Sequence, residues 1–177
     1  GDFTISLWMR IDGISDNGIL FRLGDAPSTN DIILAVGGGG NLVFSVVNSG
    51  WESAVSVQSS WVSGEWYHIA ATMSSVEGMK IYINGVQDGS NATTTRGSIY
   101  SELAYLGRDI FNGPYFKGLI TEFDIWNTAL SQSQIQSQMH VSVAGNIVDW
   151  NFNSTDGTTL YDLSINANHG TIYGANW

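Results

Sequence analysis

Two carboxylates stand close together in the run from Phe116 to Met139, F-K-G-L-I-T-E-F-D-I-W-N-T-A-L-S-Q-S-Q-I-Q-S-Q-M. In an extended strand, Glu122 and Asp124 fall on one face. A carboxylate pair about 5–5.5 Å apart supplies the nucleophile and the acid/base of retaining glycoside hydrolysis. Other stretches collect oxygen donors. Asn30 and Asp31 open an apolar strand, and Asp109 and Asn112 share the loop G-R-D-I-F-N-G. Asp162, Asn166 and Asn168 lie in D-L-S-I-N-A-N. Loops of this kind can offer a hard cation such as calcium several oxygens at once. Asp and Asn are also ordinary turn formers, and Arg108 beside Asp109 opposes a cation. A third chemistry is sugar recognition, which pairs an aromatic platform with polar groups around a shallow cleft. Trp51, Phe111 and Tyr115 fall in predicted loops, with Asn112 beside Phe111. Of the seven tryptophans, most are expected in the core, because large aromatics dominate burial. Trp51 is the best candidate for exposure.

Other catalytic arrangements are weaker. His68, His140 and His169 are far apart and match no metal-ligand spacing. His68 lies within an alternating strand, where a structural role is the ordinary one. No G-x-S-x-G elbow occurs. The glycine run Gly37 to Gly40 precedes a strand rather than a helix, so it reads as a hairpin loop and not as a phosphate cradle. Cysteine is absent, which removes disulfides, thiol catalysis and zinc–thiolate sites, but does not by itself decide the compartment.

The chain has 177 residues, 43% of them hydrophobic and 12% charged. That length suits one domain with a substantial core, and the composition is too apolar for a disordered chain. The net charge of −10 rests on only six Lys and Arg. Binding to nucleic acid or to an anionic membrane through a basic patch is disfavoured. No apolar run is long enough to span a membrane, and no signal peptide is visible. The chain begins at Gly1 rather than Met, which is read as a processed or trimmed product.

The elements that would position these groups are mostly strands. Phe3–Arg10 alternates, with Phe3, Ile5, Leu7 and Met9 on one face. Further strands are predicted at 19–23, 31–36 and 41–47, at 66–73 with Tyr67, Ile69, Ala71 and Met73 inward, and at 79–86. Asn84-Gly85 is the strongest short-range hairpin signal. Residues 51–57 are poorly patterned and are expected to cross between sheets. Residues 88–98 read as a polar loop, followed by a strand at 99–106. From Gly118 to Trp126 the period is two, with Leu119, Thr121, Phe123 and Ile125 on one face and Ile120, Glu122, Asp124 and Trp126 on the other. The period then changes. Ser131 and Gln134 form a capping box with Leu130 and Ile135 at the staple positions, so a short helix is predicted to about Met139. Asn146–Phe152 reads as a last strand. The sum is an all-β fold: a two-sheet antiparallel jelly-roll sandwich with one short helix near 131–139, forming a single domain over 1–177.

The run F-K-G-L-I-T-E-F-D-I-W-N-x-x-L-S-x-x-x-I resembles the late strand and short helix of laminin G-like and pentraxin-like jelly rolls, within the wider concanavalin A-like group. F-T-I-S-L-W-M-R resembles the early core strand of that family, G-E-W-Y-H-I-A-A-T its W-x-H-v-A strand, and K-I-Y-I-N-G its hairpin. The resemblance runs through most of the chain in the family's order. The usual leading strand is missing from the start, and the W-x-F…D-x-S-x-N-x-N-x-G-T-I-x-G-A-x-W run closes the chain. A permuted arrangement, or a strand supplied by a neighbouring subunit, would account for both.

The resemblance implies several functions, because such sandwiches host lectins, adhesion modules and hydrolases. Hydrolases of the wider group carry E-x-D-x-x-E. Here Asn127 stands where the last Glu would be, so a glycosidase using Glu122 and Asp124 would need Glu65 or Glu102 as a substitute. In the laminin G-like and pentraxin-like families, acidic residues at the places of Asn30, Asp31 and Asp109 resemble calcium ligands. The leading expectation is a non-catalytic extracellular or cell-surface recognition module for a glycan or another cell-surface ligand, with calcium as the only cofactor the resemblance implies. Trp51, Phe111, Asn112 and Tyr115 are its ligand-binding candidates. The alternative is a structural or adhesive subunit that joins homo-oligomers or filaments by strand donation. No nucleic-acid partner and no membrane insertion are expected. Asn91 and Asn153 begin glycosylation sequons that matter only in a eukaryotic secretory route.

Overall fold

A computed structural model describes residues 1–12, 18–24, 30–48, 50–94, 103–110, 115–139, 145–153 and 157–175. Phe111, Asn112, Glu102 and His140 lie outside the described residues. In chain order the elements are β1 (Phe3–Ile11), β2 (Gly18–Leu23), β3 (Asn30–Val36), β4 (Leu42–Asn48), β5 (Trp51–Val55), β6 (Trp66–Ser74) and β7 (Gly78–Ile83). They continue with β8 (Val86–Asn91), β9 (Ala104–Leu106), β10 (Gly118–Trp126), α1 (Gln132–Gln138), β11 (Asn146–Trp150), β12 (Thr159–Leu160) and β13 (Gly170–Thr171). One large sheet has six strands in the order β11-β10-β1-β6-β7-β8, the facing one has five in the order β5-β4-β3-β2-β9, and β12 and β13 pair as a separate two-stranded ribbon. The named strand pairs are antiparallel. No described helix is long and apolar enough to cross a membrane.

Alternation builds the core. Ile5, Leu7, Met9, Ile69, Ile81 and Phe123 of the larger sheet and Leu20, Leu34, Leu42 and Phe44 of the smaller one are almost wholly buried together. Phe21 meets Phe123 at 5.1 Å between ring centroids, and Phe3 meets Phe44 edge-on at 6.0 Å. These contacts join the two layers, as expected of sheets packed about 10 Å apart.

Three sequence expectations are corrected. Residues 51–55 do not cross between sheets; they form the edge strand β5, paired with β4 from Val43↔Val55 to Val47↔Trp51. Only Ala54 of this strand is fully buried, while Trp51 and Val55 are exposed. An edge strand covered so little loses its alternation in the sequence. Residues 88–91, expected as the start of a loop, instead belong to β8, the other end of the larger sheet. The Asn84-Gly85 turn, with φ of 49° and 73°, folds it back onto β7 as a two-residue hairpin turn with positive φ at both positions does.

The third correction concerns β10. Ser6 pairs with Asp124 but Trp8 pairs with Thr121, so β10 carries one extra residue there. Glu122 adopts φ 49°, and this β-bulge resets the alternation. Ile120, Phe123 and Ile125 therefore pack into the core. Leu119 is exposed on the outer face, and Thr121 stands outward beside Trp8.

Beyond Trp126 the chain folds over the outer face of the larger sheet. The Thr4 hydroxyl donates to the Thr128 carbonyl at 2.8 Å and accepts from the Leu130 amide at 2.9 Å. The capping box forms as predicted: the Ser131 hydroxyl accepts from the Gln134 amide, and the Gln134 side chain accepts from the Ser131 amide at 2.8 Å. Leu130 and Ile135 then bury against Trp126, Tyr82 and Ala70.

Candidate functional site

The outer face of the five-stranded sheet gathers three of the side chains that the sequence marks as ligand or metal candidates, Trp51, Asp31 and Asp109. Register places Tyr105, Arg22, Ile33, Ser45 and Ser53 in one line across β9, β2, β3, β4 and β5. The neighbouring line holds Asp31, Val47 and Trp51. A register shift between Ile19 and Phe21 lets both Leu20 and Phe21 bury, and turns Arg22 to the outer face.

Arg22 is buried there, 4% exposed, between two carboxylates. One guanidinium nitrogen bonds the Asp31 carboxylate, and the other bonds Asp109 Oδ1 at 2.5 Å. Asp109 also accepts the Ile110 amide at 2.6 Å. Asp31 is wholly buried. Its Oδ1 packs on Gly24, where an added Cβ would sit 1.8 Å from that oxygen, so only glycine fits at position 24. The structure thus brings Asp31 and Asp109 together, but around a guanidinium. A calcium ion wants six to eight oxygens at about 2.3–2.6 Å. Here one oxygen of each carboxylate bonds a cation that cannot be deprotonated, and that guanidinium stands between them where a metal ion would have to sit, although Asp31 Oδ1 is buried without a hydrogen-bond partner. Asn30 precedes Asp31 in the strand and so projects from the opposite face. Asn30, Asp31 and Asp109 do not fit a calcium ion.

The D-L-S-I-N-A-N loop also uses its oxygens internally. Asp162 accepts the amides of Asp149, Ser164 and Asn168 at 2.8, 2.9 and 2.8 Å, and the Ser164 hydroxyl at 2.8 Å. Burial pushes its carboxyl up, but these hydrogen bonds outweigh that and hold it below the usual range. Asn166 and Asn168 donate their side-chain amides to the Ile147 carbonyl. Among the described residues no group of three or more His, Cys, Asp or Glu side chains could hold a metal ion.

Trp51 is 63% exposed on the edge strand β5. Tyr115 is also exposed, but its backbone bridges Ile19 of β2, beyond the middle of the sheet. About three to four strand spacings of ~4.8 Å, roughly 14–19 Å, separate the two aromatics. They cannot stack on one sugar ring.

The carboxylate pair of β10 is split by environment. Glu122 is exposed at the bulge and lines a groove with Trp8, Trp66, Thr121 and Met139. Asp124 accepts the Asn146 side-chain amide at 2.7 Å and stands opposite Asp149. Burial pushes its carboxyl up to about 7, and the charges of Asp149, Glu122 and Asp162 add to this while the Asn146 hydrogen bond opposes it. The two described histidines, His68 and His169, are structural. His68 packs edge-on to Trp8 at 5.4 Å and is buried. His169 Nδ1 accepts the Asp162 amide at 3.1 Å.

Sequence reasoning missed the groove itself, which has a volume of about 400 Å³. Its signal was the outward half of two strands, Trp8 and Arg10 on β1 and Trp66 on β6. The short helix is too short to cover all of that face.

Residues 1–136 match the family described as the concanavalin A-like lectin/glucanases superfamily, of laminin G type. C-reactive protein 1.1 of Limulus polyphemus is 26% identical over 181 residues, covering 90% of this chain and 74% of that protein. Domain 4 of AbnA, a GH43 extracellular arabinanase from Geobacillus stearothermophilus solved with arabinotriose, is 26% identical with a TM-score of 0.60, over 76% of this chain and 65% of that one. A Bacteroides ovatus structure, 20% identical, superposes with a TM-score of 0.68 over 96% of this chain and shows the same fold. This chain spans only 51% of that protein's length. The sheet order, the capped helix over the larger sheet and these likenesses agree: the chain belongs to the concanavalin A-like lectin/glucanases superfamily and has the jelly roll of its laminin G-like and pentraxin-like members.

Proposed function

We propose that this chain is a non-catalytic, extracellular glycan-recognition module in which a sugar ring stacks on Trp51. The observation that carries the reading is Trp51 itself: a large indole, 63% exposed, on an edge strand and in register with Val47 and Asp31. A bare indole at a sheet rim offers a flat apolar surface to the C–H face of a sugar, and the bordering polar groups can meet its hydroxyls. The likeness to an arabinotriose-bound domain of an extracellular arabinanase supports the same ligand class. Catalysis is disfavoured because Asp124 is engaged by Asn146 and the position of a third carboxylate is Asn127.

Recognition on this face needs no calcium at Asp31 and Asp109, because the Arg22 guanidinium already bridges them. The test is a glycan array followed by calorimetry on the best oligosaccharide, arabinotriose included, first in calcium and then in chelator. Trp51→Ala is expected to weaken binding by about tenfold or more, and chelator is expected to leave it unchanged. Full binding by Trp51→Ala would move the site elsewhere. Light scattering on the same samples tests the assembly alternative, which a large, chelator-indifferent oligomer without glycan affinity would favour.

A further inference from the structure

The described residues cover only half of the outer face of the six-stranded sheet. Helix α1 and Leu130 lie over Ala70 and Tyr82. Past the end of the helix no described residue covers the sheet, and the groove of about 400 Å³ begins there, a volume within the range of small-ligand sites. Register explains its contents. Arg10 faces Trp66 across β1 and β6, and Trp8 faces His68, so the two indoles are diagonal neighbours on one face. Trp8 is fixed: its Nε1 donates to the Met139 carbonyl at 3.2 Å, and His68 packs against its ring. Trp66 is 39% exposed. The Arg10 guanidinium lies 5.7 Å from its ring centroid, and the same guanidinium forks onto Asp12 with two hydrogen bonds of 3.2 Å.

The opposite wall is polar. Thr121 stands beside Trp8 in register. The bulge then throws Glu122 outward at φ 49°, a conformation that costs energy for a residue with a side chain. The Glu122 carboxylate has no hydrogen-bond or ion-pair partner among the described residues and opens to the groove. Flat indoles on one side and a free acceptor on the other suit a molecule with an apolar ring face and hydroxyl donors. Charge decides between sugars. Arg10 is already neutralised by Asp12, Glu122 is negative and the whole chain carries −10, so an acidic glycan is repelled. The indoles lie side by side on an open sheet rather than facing each other as a cage, which disfavours an ammonium ligand.

We infer that the Trp8–Trp66–Glu122 groove is a second binding site, on the sheet opposite Trp51, for a neutral oligosaccharide. It rests on the glycan reading of the chain but uses none of the same residues. Two sites on opposite faces would make one chain able to bridge two sugar chains, with a gain in avidity that a single site lacks.

The experiment is calorimetry with the strongest neutral oligosaccharide from the array, on the native chain, Trp51→Ala, Trp66→Ala and Glu122→Gln, each first checked by circular dichroism. The expected result is two sites per native chain, one remaining in Trp51→Ala and one in Trp66→Ala. Glu122→Gln is expected to keep the count but weaken one site by about tenfold, the worth of a charged hydrogen bond. It keeps the side chain's size, so it stands as the readout if Trp66→Ala fails to fold. A single site that Trp51→Ala abolishes and Trp66→Ala and Glu122→Gln leave intact would overturn the second site alone. No binding of any glycan by the native chain would overturn both readings. Binding at the groove by a cationic oligosaccharide such as chitosan, but not by the neutral one, would overturn the neutral-sugar assignment.

Discussion

Asp124 stands directly opposite Asp149 where β10 pairs with β11, and Asn146 closes on it at 2.7 Å. Two carboxylates facing each other across a ladder are unfavourable when both are charged. Burial is the largest cause and, with the neighbouring acids, pushes the Asp124 carboxyl up to about 7. The unfolded chain releases the same proton near pH 4. Between these values the native state holds more protons than the unfolded state, so stability falls as pH rises. The contribution is fully present below about pH 4 and is lost as pH rises through about 7. Thermal melts are expected to show Tm dropping between pH 5 and pH 8. Asp124→Asn keeps an acceptor for Asn146 and removes the charge, so its Tm should be higher than native at pH 8 and nearly flat across the range. A lower Tm for Asp124→Asn at pH 8 would refute this account.

Arg22 gives a prediction about coupling. Replacing it with Met strands Asp31, which is wholly buried. Breaking a buried ion pair from one side costs about 3–5 kcal/mol, and a chain of this length loses about 2–4 °C of Tm per kcal/mol. A fall of about 10 °C is therefore expected for Arg22→Met. The double variant Arg22→Met, Asp31→Asn removes both charges and should recover a large part of that loss, whereas independent sites would simply add. Urea unfolding of the two singles and the double closes the cycle, and additivity would show that the pair is not coupled.

What could be read from the sequence was set by how completely each element is buried. β1 and β6 alternate cleanly because one face meets the core, and Asn84-Gly85 and Ser131–Gln134 signal locally through backbone conformation and capping. β5 and β8 are hard to read because edge strands are covered on little of their surface, so Trp51, Glu52 and Gln87 carry no period. β10 is legible as a strand, but its phase is not. The bulge at Glu122 is a long-range fit to Ser6 and Trp8, and nothing in T-E-F-D marks it. The candidate site was half legible for a similar reason. Asp31 and Asp109 do converge, but the third member is Arg22, outward only because a register shift in β2 turns it. A cation supplied by the chain itself looks, from carboxylate spacing alone, like a place for a metal.

The capped helix ties the last prediction to the open groove. Ser131 and Gln134 satisfy each other's backbone amides at the start of α1, while the far end delivers the Met139 carbonyl to Trp8. Seven residues are too few for an isolated helix to persist in water, so the cap and the buried Leu130–Ile135 pair hold it in place. Removing the cap hydroxyl with Ser131→Ala is expected to cost about 1 kcal/mol, or about 2–4 °C of Tm for a chain of this length. Hydrogen exchange should quicken over 132–138 before it does in the strands, because a short surface element opens locally at lower free energy than the core. With the Met139 carbonyl less firmly placed, Trp8 loses an anchor, and sugar affinity at the groove should weaken while the Trp51 site is unchanged. Calorimetry on Ser131→Ala would show this, and equal loss at both sites would mean that the variant disturbs the sandwich rather than the helix.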